Sequence, residues 1–445
     1  MMRLLLNLVG VGLLVATSYA CGAQEVTFMR EGMGHVERTH QNYAVDGAGT
    51  LTVDTDFGSV RVESGSSDEV DVEVVKRRTG ISENSARDAF GDIEVDISRR
   101  ENDVDIRIER DRRFGSNDVS VDIQVKLPES YSLDLKTSGG DIDVGDLRGD
   151  VVARTSGGDV NVGNVSDAVI RVHTSGGDVT VKGGGIETKV STSGGDIEIL
   201  DARGAVDAST SGGDVTIGNA AGEVSAKTSG GDITIGSTDG EVTVRTSGGD
   251  IEIDQAGGNT EAITSGGDIR IGHTTGEVKA KTSGGDITIE RAGGEVDVHT
   301  SGGDVTIDSA EGSLKAGTSG GDITISNATG GGVTAKTSGG DIEARMRASV
   351  SALEEDWLLQ SSGGELAIQI PEDLPATLEA EIRLERSWFG REEEYRIDSD
   401  FDLDEQKEET GNRRTIRATG DINGGGNRIR LKTSSGDIRI RKGSS

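Results

Sequence analysis

Twelve aspartates that recur at a regular spacing are the residues with the clearest potential for chemistry. Each one ends a Thr-Ser-Gly-Gly-Asp (TSGGD) pentapeptide, and successive copies lie 18 residues apart except for two steps of 19. If the repeats stack, these carboxylates align in a row, and oxygen ligands in a row suit a hard cation such as Ca²⁺. The aspartates are Asp141, Asp159, Asp178, Asp196, Asp214, Asp232, Asp250, Asp268, Asp286, Asp304, Asp322 and Asp341.

The same aspartates also have a structural interpretation, which the sequence favours. An Asp that follows Gly-Gly can accept hydrogen bonds from turn N–H groups or from the Thr and Ser hydroxyls. The known Ca²⁺-binding solenoid pattern, G-G-x-G-x-D-x-U-x, contains a third Gly that TSGGD lacks. We therefore interpret the row as a structural Asp ladder and keep calcium binding as the alternative. A basic residue that could pair with the row precedes six of the turns: Lys136, Arg154, Lys227, Arg245, Lys281 and Lys336.

No other group of residues predicts catalysis or a cofactor. His35 and His40 are five positions apart, but nothing nearby in the sequence completes a metal-ligand set. His173, His273 and His299 fall in different repeats, and Ser-Gly-Gly resembles no nucleophile motif. The Gly-Gly turns are not followed by the Gly-Lys-Ser/Thr of a phosphate loop. We predict a protein that is not an enzyme and needs no cofactor.

The elements that must position the aspartates follow from the period. A repeat of this length is typical of a solenoid in which one repeat is one coil. Between Ser229 and Thr246, the alternation of Ile233 with Ile235 and of Val242 with Val244 predicts two strands joined by two short turns. Residues 133–345 are therefore predicted to form a parallel β-solenoid of about 18 residues per coil. The preference for right-handed parallel crossovers predicts a right-handed coil. Twelve coils with flanking turns predict a rod on the order of 60 Å long.

The regions on either side of the repeats are predicted to cover its open ends. Residues 46–132 alternate as β-strands and include a short helix candidate over 82–90, so they form an N-terminal β-rich cap. Residues 346–445 break the period and form a C-terminal β-rich cap. We interpret four of the aromatic residues there as sealing the solenoid rather than binding a ligand. They are Trp357, Trp388, Phe389 and Tyr395.

The N-terminus predicts export. Residues 1–20 contain Arg3, an apolar run over 4–16 and small residues, which is the pattern of a signal peptide. The only cysteine, Cys21, follows Ala20 and is a candidate for lipidation, with ordinary cleavage after Ala20 or Ala23 as the alternative. Residues 21–45 are polar and aperiodic and are predicted to be a linker. The protein is thus expected in the periplasm, the outer membrane or at the cell surface.

The acidic composition limits the possible partners. The formal net charge of −33 repels nucleic acids and anionic membrane surfaces. We therefore expect no nucleic acid partner, and contact with a membrane only through a lipid anchor at the N-terminus. The expected partner is an envelope protein or a glycan.

The chain resembles the bacterial "putative adhesin" family of unknown function, the DUF4097-type β-solenoids. The features that carry the resemblance are the exported N-terminus, VDIQVKLPES before the repeats, the many TSGGDI-type turns and the ending NRIRLKTSSGDIRIRK. The resemblance covers residues 46–445 and implies a parallel β-solenoid in the cell envelope. It implies no functional residues, because the family has no agreed site.

Together these observations predict an exported, non-enzymatic envelope protein. Its rigid acidic rod would have a structural or adhesive role, in which many weak identical sites add up through multivalency. A periplasmic accessory or signalling protein of the envelope is the second possibility. A calcium-binding surface component is the third.

Overall fold

The computed structural model describes residues 24–66, 68–110, 119–329, 331–347, 349–385, 395–410 and 413–443. Over these residues the chain forms 40 β-strands and one short helix. Strands of the repeat region pair in parallel with the equivalent strands of the neighbouring coils. The predicted all-β, parallel β-solenoid is confirmed, while its handedness stays a prediction. Among the described residues, no helix is both long enough and apolar enough to cross a membrane.

The strands are numbered in chain order. Before the repeats lie β1 (Glu25–Glu31), β2 (Gly34–Ala44), β3 (Thr50–Thr55), β4 (Ser59–Gly65), β5 (Glu69–Thr79), α1 (Glu83–Gly91), β6 (Ile93–Arg100), β7 (Asp103–Arg110) and β8 (Ser120–Pro128). The repeats contribute β9 (Ser132–Lys136), β10 (Ile142–Val144), β11 (Val151–Arg154), β12 (Val160–Asn164), β13 (Val169–His173), β14 (Val179–Gly183), β15 (Glu187–Ser191), β16 (Ile197–Ala202), β17 (Ala205–Ser209), β18 (Val215–Ala220), β19 (Val224–Lys227), β20 (Ile233–Thr238), β21 (Val242–Arg245), β22 (Ile251–Ala256), β23 (Thr260–Ile263), β24 (Ile269–Thr274), β25 (Val278–Lys281), β26 (Ile287–Ala292), β27 (Val296–His299), β28 (Val305–Ala310), β29 (Leu314–Gly317), β30 (Ile323–Ala328), β31 (Val333–Lys336) and β32 (Ile342–Met346). After the repeats come β33 (Trp357–Gln360), β34 (Leu366–Pro371), β35 (Ala376–Glu385), β36 (Ile397–Ser399), β37 (Asp404–Thr410), β38 (Arg413–Ile422), β39 (Arg428–Thr433) and β40 (Ile438–Gly443).

Two sheets run along the whole solenoid. Sheet 1 contains the strands that follow each TSGGD corner, from β10 to β32, and sheet 2 contains those that precede it, from β9 to β31. The register is regular, so that Ile233 lies beside Ile251 and Val242 beside Thr260. Alternation at period two turns Ile233 and Ile235 inward from sheet 1 and Val242 and Val244 inward from sheet 2, all of them fully buried. The inward residues of both sheets form one hydrophobic core.

The N-terminal region extends the solenoid as well as covering it. Strands β3 and β4 lie beside β9 and β10, and β7 and β8 form the next layer outward. The first strands in the sequence are therefore not the first in space. Antiparallel strands then close the end: β6 pairs with β7, and β5, β2 and β1 continue outward from β8. The predicted helix forms as α1, with Ser82 as its N-cap and Ala86 and Phe90 buried.

The prediction of a polar linker over residues 21–45 was wrong for its described part, because residues 25–44 form the hairpin of β1 and β2. Polar side chains hide this hairpin in the sequence. They pair with the neighbouring strand β5, as Arg38 does with Glu73 at 2.9 Å and Glu37 with Lys76 at 2.9 Å. Lys76 also donates hydrogen bonds to the carbonyls of Phe90 and Ile93, which ties the helix to the sheet.

The C-terminal region shows the same non-sequential order. The last two strands of the chain, β39 and β40, lie between β33 and β34 on one side and β35 and β36 on the other. Antiparallel β38 and β37 complete sheet 2 beyond β35. With the strands that the flanking regions add, sheet 1 contains 20 strands among the described residues, which at about 4.8 Å per strand gives a length of about 90 Å. This exceeds the predicted length because both flanking regions add strands to the stack.

Candidate functional site

The candidate site is the row of TSGGD corners, where each strand of sheet 2 turns into a strand of sheet 1. The Thr of each corner points inward and is buried. The Thr246 hydroxyl donates to the carbonyl of Gly231 in the preceding coil at 2.9 Å, and it accepts from the N–H of Gly249 in its own corner at 3.3 Å. The same pair of bonds recurs from Thr155 to Thr337. The Thr therefore ties each corner to its neighbour.

The two glycines of a corner have different roles. The second glycine is packed directly on the second glycine of the preceding coil. A methyl group at Gly249 would overlap the carbonyl oxygen of Gly231. At Gly248, the first glycine, the nearest atom to an added methyl group is the Gly230 carbonyl oxygen at 3.4 Å, an ordinary contact. The corner therefore requires glycine at its second position because the backbones approach closely.

The Asp of each corner binds the backbone of the following coil. The Asp232 carboxylate accepts from the backbone N–H of Asp250 at 2.7 Å. All twelve aspartates make this bond through Oδ1, and the distances lie between 2.7 and 3.0 Å. The last one, Asp341, accepts from Glu365 of the coil beyond the repeats at 2.7 Å. The donors are N–H groups of turns, as the structural interpretation expects, but each belongs to the next turn of the row.

Basic residues before the corners pair with other carboxylates. Lys136 contacts Asp54 at 2.9 Å, Arg154 contacts Asp134 at 3.0 Å and Arg245 contacts Glu261 at 2.7 Å. The suggestion that these three pair with the Asp ladder was therefore wrong. Their partners lie on the outer face of sheet 2, where side chains of adjacent coils are about 5 Å apart. The repulsion between the aspartates is instead offset by the backbone N–H that each one accepts.

The outer face of sheet 2 carries ion pairs between coils. Arg171 contacts Glu187 at 3.0 Å, and Lys189 contacts Asp207 at 2.6 Å. The hydrogen bond and the charge of Asp207 raise the pKa of Lys189 above its usual value. These pairs are half-exposed, so each adds little to stability. They form a mixed surface of both charges rather than a pocket.

The remaining candidates are separated from the corners. His40 Nε2 lies 2.5 Å from Asp71 Oδ1, whereas His35 is buried against Phe28 with ring centroids 5.6 Å apart. Within the described ranges, no three His, Cys, Asp or Glu side chains are grouped so that they could hold a metal ion. Cys21 and the predicted signal peptide over 1–20 lie outside the described residues.

The described aromatic residues of the C-terminal region pack into the stack. Trp357 occupies the inward position that Val333 holds in the preceding layer and Ile429 in the following one. It is fully buried, and its indole N–H donates to the Gly331 carbonyl at 2.8 Å. Tyr395 is half-buried against the core. Trp388 and Phe389 lie outside the part of the chain that the structure describes.

One feature of the N-terminal end was missed by sequence reasoning. A cavity of about 390 Å³ lies between the β1–β2 turn and the start of α1, lined by Phe28, Arg30, Met33, His35 and Arg87 among others. The available signal was the alternation of Val26, Phe28 and Arg30 before Gly32, which is a short strand followed by a turn residue. Without a repeat partner, that pattern was too short to predict a hairpin.

Comparison with protein families gives one clear match. The profile described as Toastrack DUF4097 matches residues 48–255, 206–312 and 236–441, which together span 48–441. A search of curated proteins gave no match.

Several solved structures share local similarity with the chain. A putative adhesin from Bacteroides fragilis is 17% identical, with 48% of this chain and 97% of that chain covered and a TM-score of 0.35. A putative adhesin from Parabacteroides distasonis is 15% identical, with coverages of 57% and 96% and a TM-score of 0.32. A putative cell adhesion protein from Clostridium sporogenes is 8% identical, with coverages of 95% and 100% and a TM-score of 0.14. Each similarity is too low to carry an argument about this chain.

Proposed function

The chain belongs to the Toastrack DUF4097 family, and we propose that it is an exported, non-enzymatic component of the cell envelope. In this proposal, the long acidic coil acts as a rigid binding rod. It presents the same outer surface many times to an envelope protein, a glycan or a neighbouring cell. The signal-like segment over 1–20 and Cys21 support export and a lipid anchor.

The observation that carries the proposal is the constant register of the coils. Outward residues of one coil lie beside the equivalent residues of the next, as Thr216 does beside Thr234 and Thr288 beside Thr306. A weak contact made by one coil is therefore available again about 4.8 Å further along. Multivalent binding raises the overall affinity without any single strong site.

The corners give no support to a catalytic proposal. Twelve equivalent corners use their Thr, Gly and Asp groups in bonds between coils, so none of them differs as a reacting site would. A binding role uses the repetition of these groups, whereas catalysis needs a few distinct groups in one place.

Adhesion can be tested by changing the number of coils. Deleting residues 229–300 removes 72 residues, or four coils, and rejoins Thr228 to Ser301 so that a TSGGD corner is kept. If the repeated surface binds, attachment of the purified protein to envelope extract or to cells should fall at least tenfold, because multivalent affinity depends steeply on the number of contacts. Unchanged attachment of this folded variant would contradict binding through the coil.

Localisation separates this proposal from a periplasmic accessory role. Protease treatment of intact cells should remove a surface adhesin and spare a periplasmic protein. A detergent-phase partitioning experiment on the wild type and Cys21→Ser tests the anchor. Equal partitioning of both proteins into the aqueous phase would contradict lipidation.

A further inference from the structure

Exposed apolar residues are concentrated at the N-terminal end of the described chain. Val26 is 55% exposed, Met29 43% and Met33 88%, all within eight positions of the β1–β2 hairpin. The other large apolar side chains that are comparably exposed, Ile186 and Leu200, lie on the coil. Val26 and Met29 lie on opposite faces of β1, the outermost strand of sheet 1, so both flank its free edge. Large exposed apolar groups along such an edge indicate a surface that another apolar phase covers.

The same hairpin borders the cavity beside α1. Phe28 stacks on His35 and packs edge-on against Phe90 of the helix, with ring centroids 6.1 Å apart. The guanidinium carbon of Arg87 lies over the Phe28 ring, 3.7 Å from its centroid. Arg30 pairs across the hairpin with His35, so both side chains are on the face that borders the cavity.

His35 has an unused hydrogen-bonding atom in this cavity. Only 8% of the residue is exposed, yet its Nδ1 has no hydrogen-bond partner among the described residues. Leaving a buried polar atom unpaired is unfavourable, so such an atom points to a ligand. In the tautomer that carries hydrogen on Nδ1, this atom donates a hydrogen bond. Arg30 and Arg87 also line the cavity, and the one carboxylate in its lining, Glu83, is paired with Arg87 at 2.9 Å. Beside Arg30 and His35 the cavity therefore suits an anionic oxygen.

We propose that the N-terminal end of the molecule docks on a lipid bilayer. Met33, Met29 and Val26 enter the interfacial layer, and a lipid phosphate occupies the cavity between Arg30 and His35. Met33 lies on the tip of the hairpin turn, so lipid can bury it without a complementary protein pocket. The position in the chain agrees, because Cys21 is three residues before Gln24, which precedes β1, and β1 is the outermost strand of sheet 1 at this end. This docking rests on the proposed export to the envelope.

The docking restricts how the rod is oriented. Because the hairpin is at one end of sheet 1, a molecule bound through it directs the opposite end, with β36 and β37, away from the bilayer. The net charge of −33 acts in the same direction on an anionic membrane, since it repels the coil from the surface. Binding should therefore be stronger on zwitterionic vesicles than on strongly anionic ones at low salt.

The test places an environment-sensitive nitrobenzoxadiazole label at one position in processed protein that carries Cys21→Ser and so has no lipid anchor. With phosphatidylcholine vesicles, a label at Met33→Cys should shift its emission to the blue and gain intensity. The matched control is Ile186→Cys, which is also exposed but lies on the coil, and its emission should not change. In unlabelled Cys21→Ser protein, adding Met33→Ser should weaken vesicle binding about tenfold, because one buried apolar side chain is lost.

Unchanged emission at position 33, or an equal change at position 186, would overturn the docking. Binding that is insensitive to Met33→Ser would also overturn it. Melting temperatures of the variants establish that they are folded. Attachment to cells and its dependence on coil number are measured separately. Failure of the docking proposal can therefore be distinguished from failure of the adhesive proposal.

Discussion

The repeated coils and the two ends of the molecule are built on different principles. In the coils each strand pairs with a strand 18 or 19 residues away, and the same corner bonds recur from layer to layer. At the ends the partners are distant: Leu51 lies beside Leu133, and Trp357 beside Ile429, 72 positions later. The coils are therefore interchangeable layers, whereas each end depends on particular strands.

Because of this difference, the coils should tolerate deletions that the ends do not. The stability of a stack of repeats is approximately the sum of the intrinsic stability of each coil and the interaction energy between neighbouring coils. A coil can then be removed with a limited loss. An end strand cannot, because its absence leaves unpaired strand edges and an exposed core.

The largest effect is expected from removing the last strands. A chain that ends at residue 427 lacks β39 and β40 and so loses Ile429, Leu431, Ile438 and Ile440, all fully buried. At about 2 kcal/mol for each side chain, roughly 8 kcal/mol of hydrophobic stabilisation is lost. We expect the C-terminal end to unfold, measured by hydrogen exchange of β33 to β38. The control excises residues 247–264, one coil of equal length, and should stay folded. If both deletions unfold the protein, or if neither does, the contrast between interchangeable coils and specific end strands is contradicted.

The second prediction concerns the two glycines of one corner. Gly249→Ala places a methyl group against the Gly231 carbonyl, so we expect a loss of roughly 3 kcal/mol in the free energy of unfolding, as for overpacked sites. Gly248→Ala has room and should change stability by less than about 0.5 kcal/mol. Denaturant unfolding measures both. Equal losses would show that the corner requires glycine for its conformation and not for close approach.

The third prediction concerns an ion pair of the C-terminal end. Burial alone would raise the pKa of Glu381, but Arg417, at 2.8 Å, and Arg383 outweigh it and hold the pKa below its usual value. A lowered carboxyl pKa stabilises the fold above about pH 4.3, and this contribution is lost as the pH falls through the folded-state pKa. Glu381→Gln should therefore cost about 2 kcal/mol at pH 7 and less at pH 3.

Thermal unfolding of wild type and Glu381→Gln from pH 7 to pH 3 measures this difference. A matched variant, Glu261→Gln, removes an exposed pair of the coil with Arg245 and should change stability by less than about 1 kcal/mol. A gap between wild type and Glu381→Gln that widens as the pH falls would contradict the assignment.

The smallest effect is expected inside the coil, at an irregular position. Thr188 and Thr260 occupy the inward site where other coils have Val, Ile or Leu, and both are buried. The Thr260 hydroxyl lies 3.2 Å from that of Thr274, whereas the Thr188 hydroxyl has no hydrogen-bond partner among the described residues. Thr188→Val should thus raise stability by about 1 kcal/mol.

The control for this prediction is Thr260→Val, which removes a satisfied hydroxyl and should raise stability by less. Melting temperature measures both variants. A larger gain from Thr260→Val would show that the hydrogen bond at that coil is not favourable.

The repeat period allowed most of the coil to be predicted from the sequence. It predicted the two strands that carry Ile233, Ile235, Val242 and Val244, because stacking at a fixed period leaves one register. The direction of the Asp bond could not be predicted in the same way. Either the same turn or the next one could supply the N–H, and only the three-dimensional offset of the coils decides.

The ends were harder to predict for two physical reasons. Periodicity says which residues form a strand, but where the period breaks it does not say which strand lies beside which. Residues 346–445 were therefore predicted to be β-rich, without the place of β39 between β33 and β35. The β1–β2 hairpin was missed because charged pairs such as Lys76 with Glu37 replace the apolar alternation of a typical strand.

The position of β39 and β40 also determines when the C-terminal end of the stack can be completed. As a chain is made from its N-terminus, each coil can settle on the one before it, since its partner is only one repeat behind. The N-terminal end is complete once residue 128 is available, whereas the C-terminal end needs the final strand, residues 438–443, between layers made earlier. Until then the chain is a growing stack with an open edge. Addition of β39 and β40 thus covers the edges of β33 and β34, which are open until then.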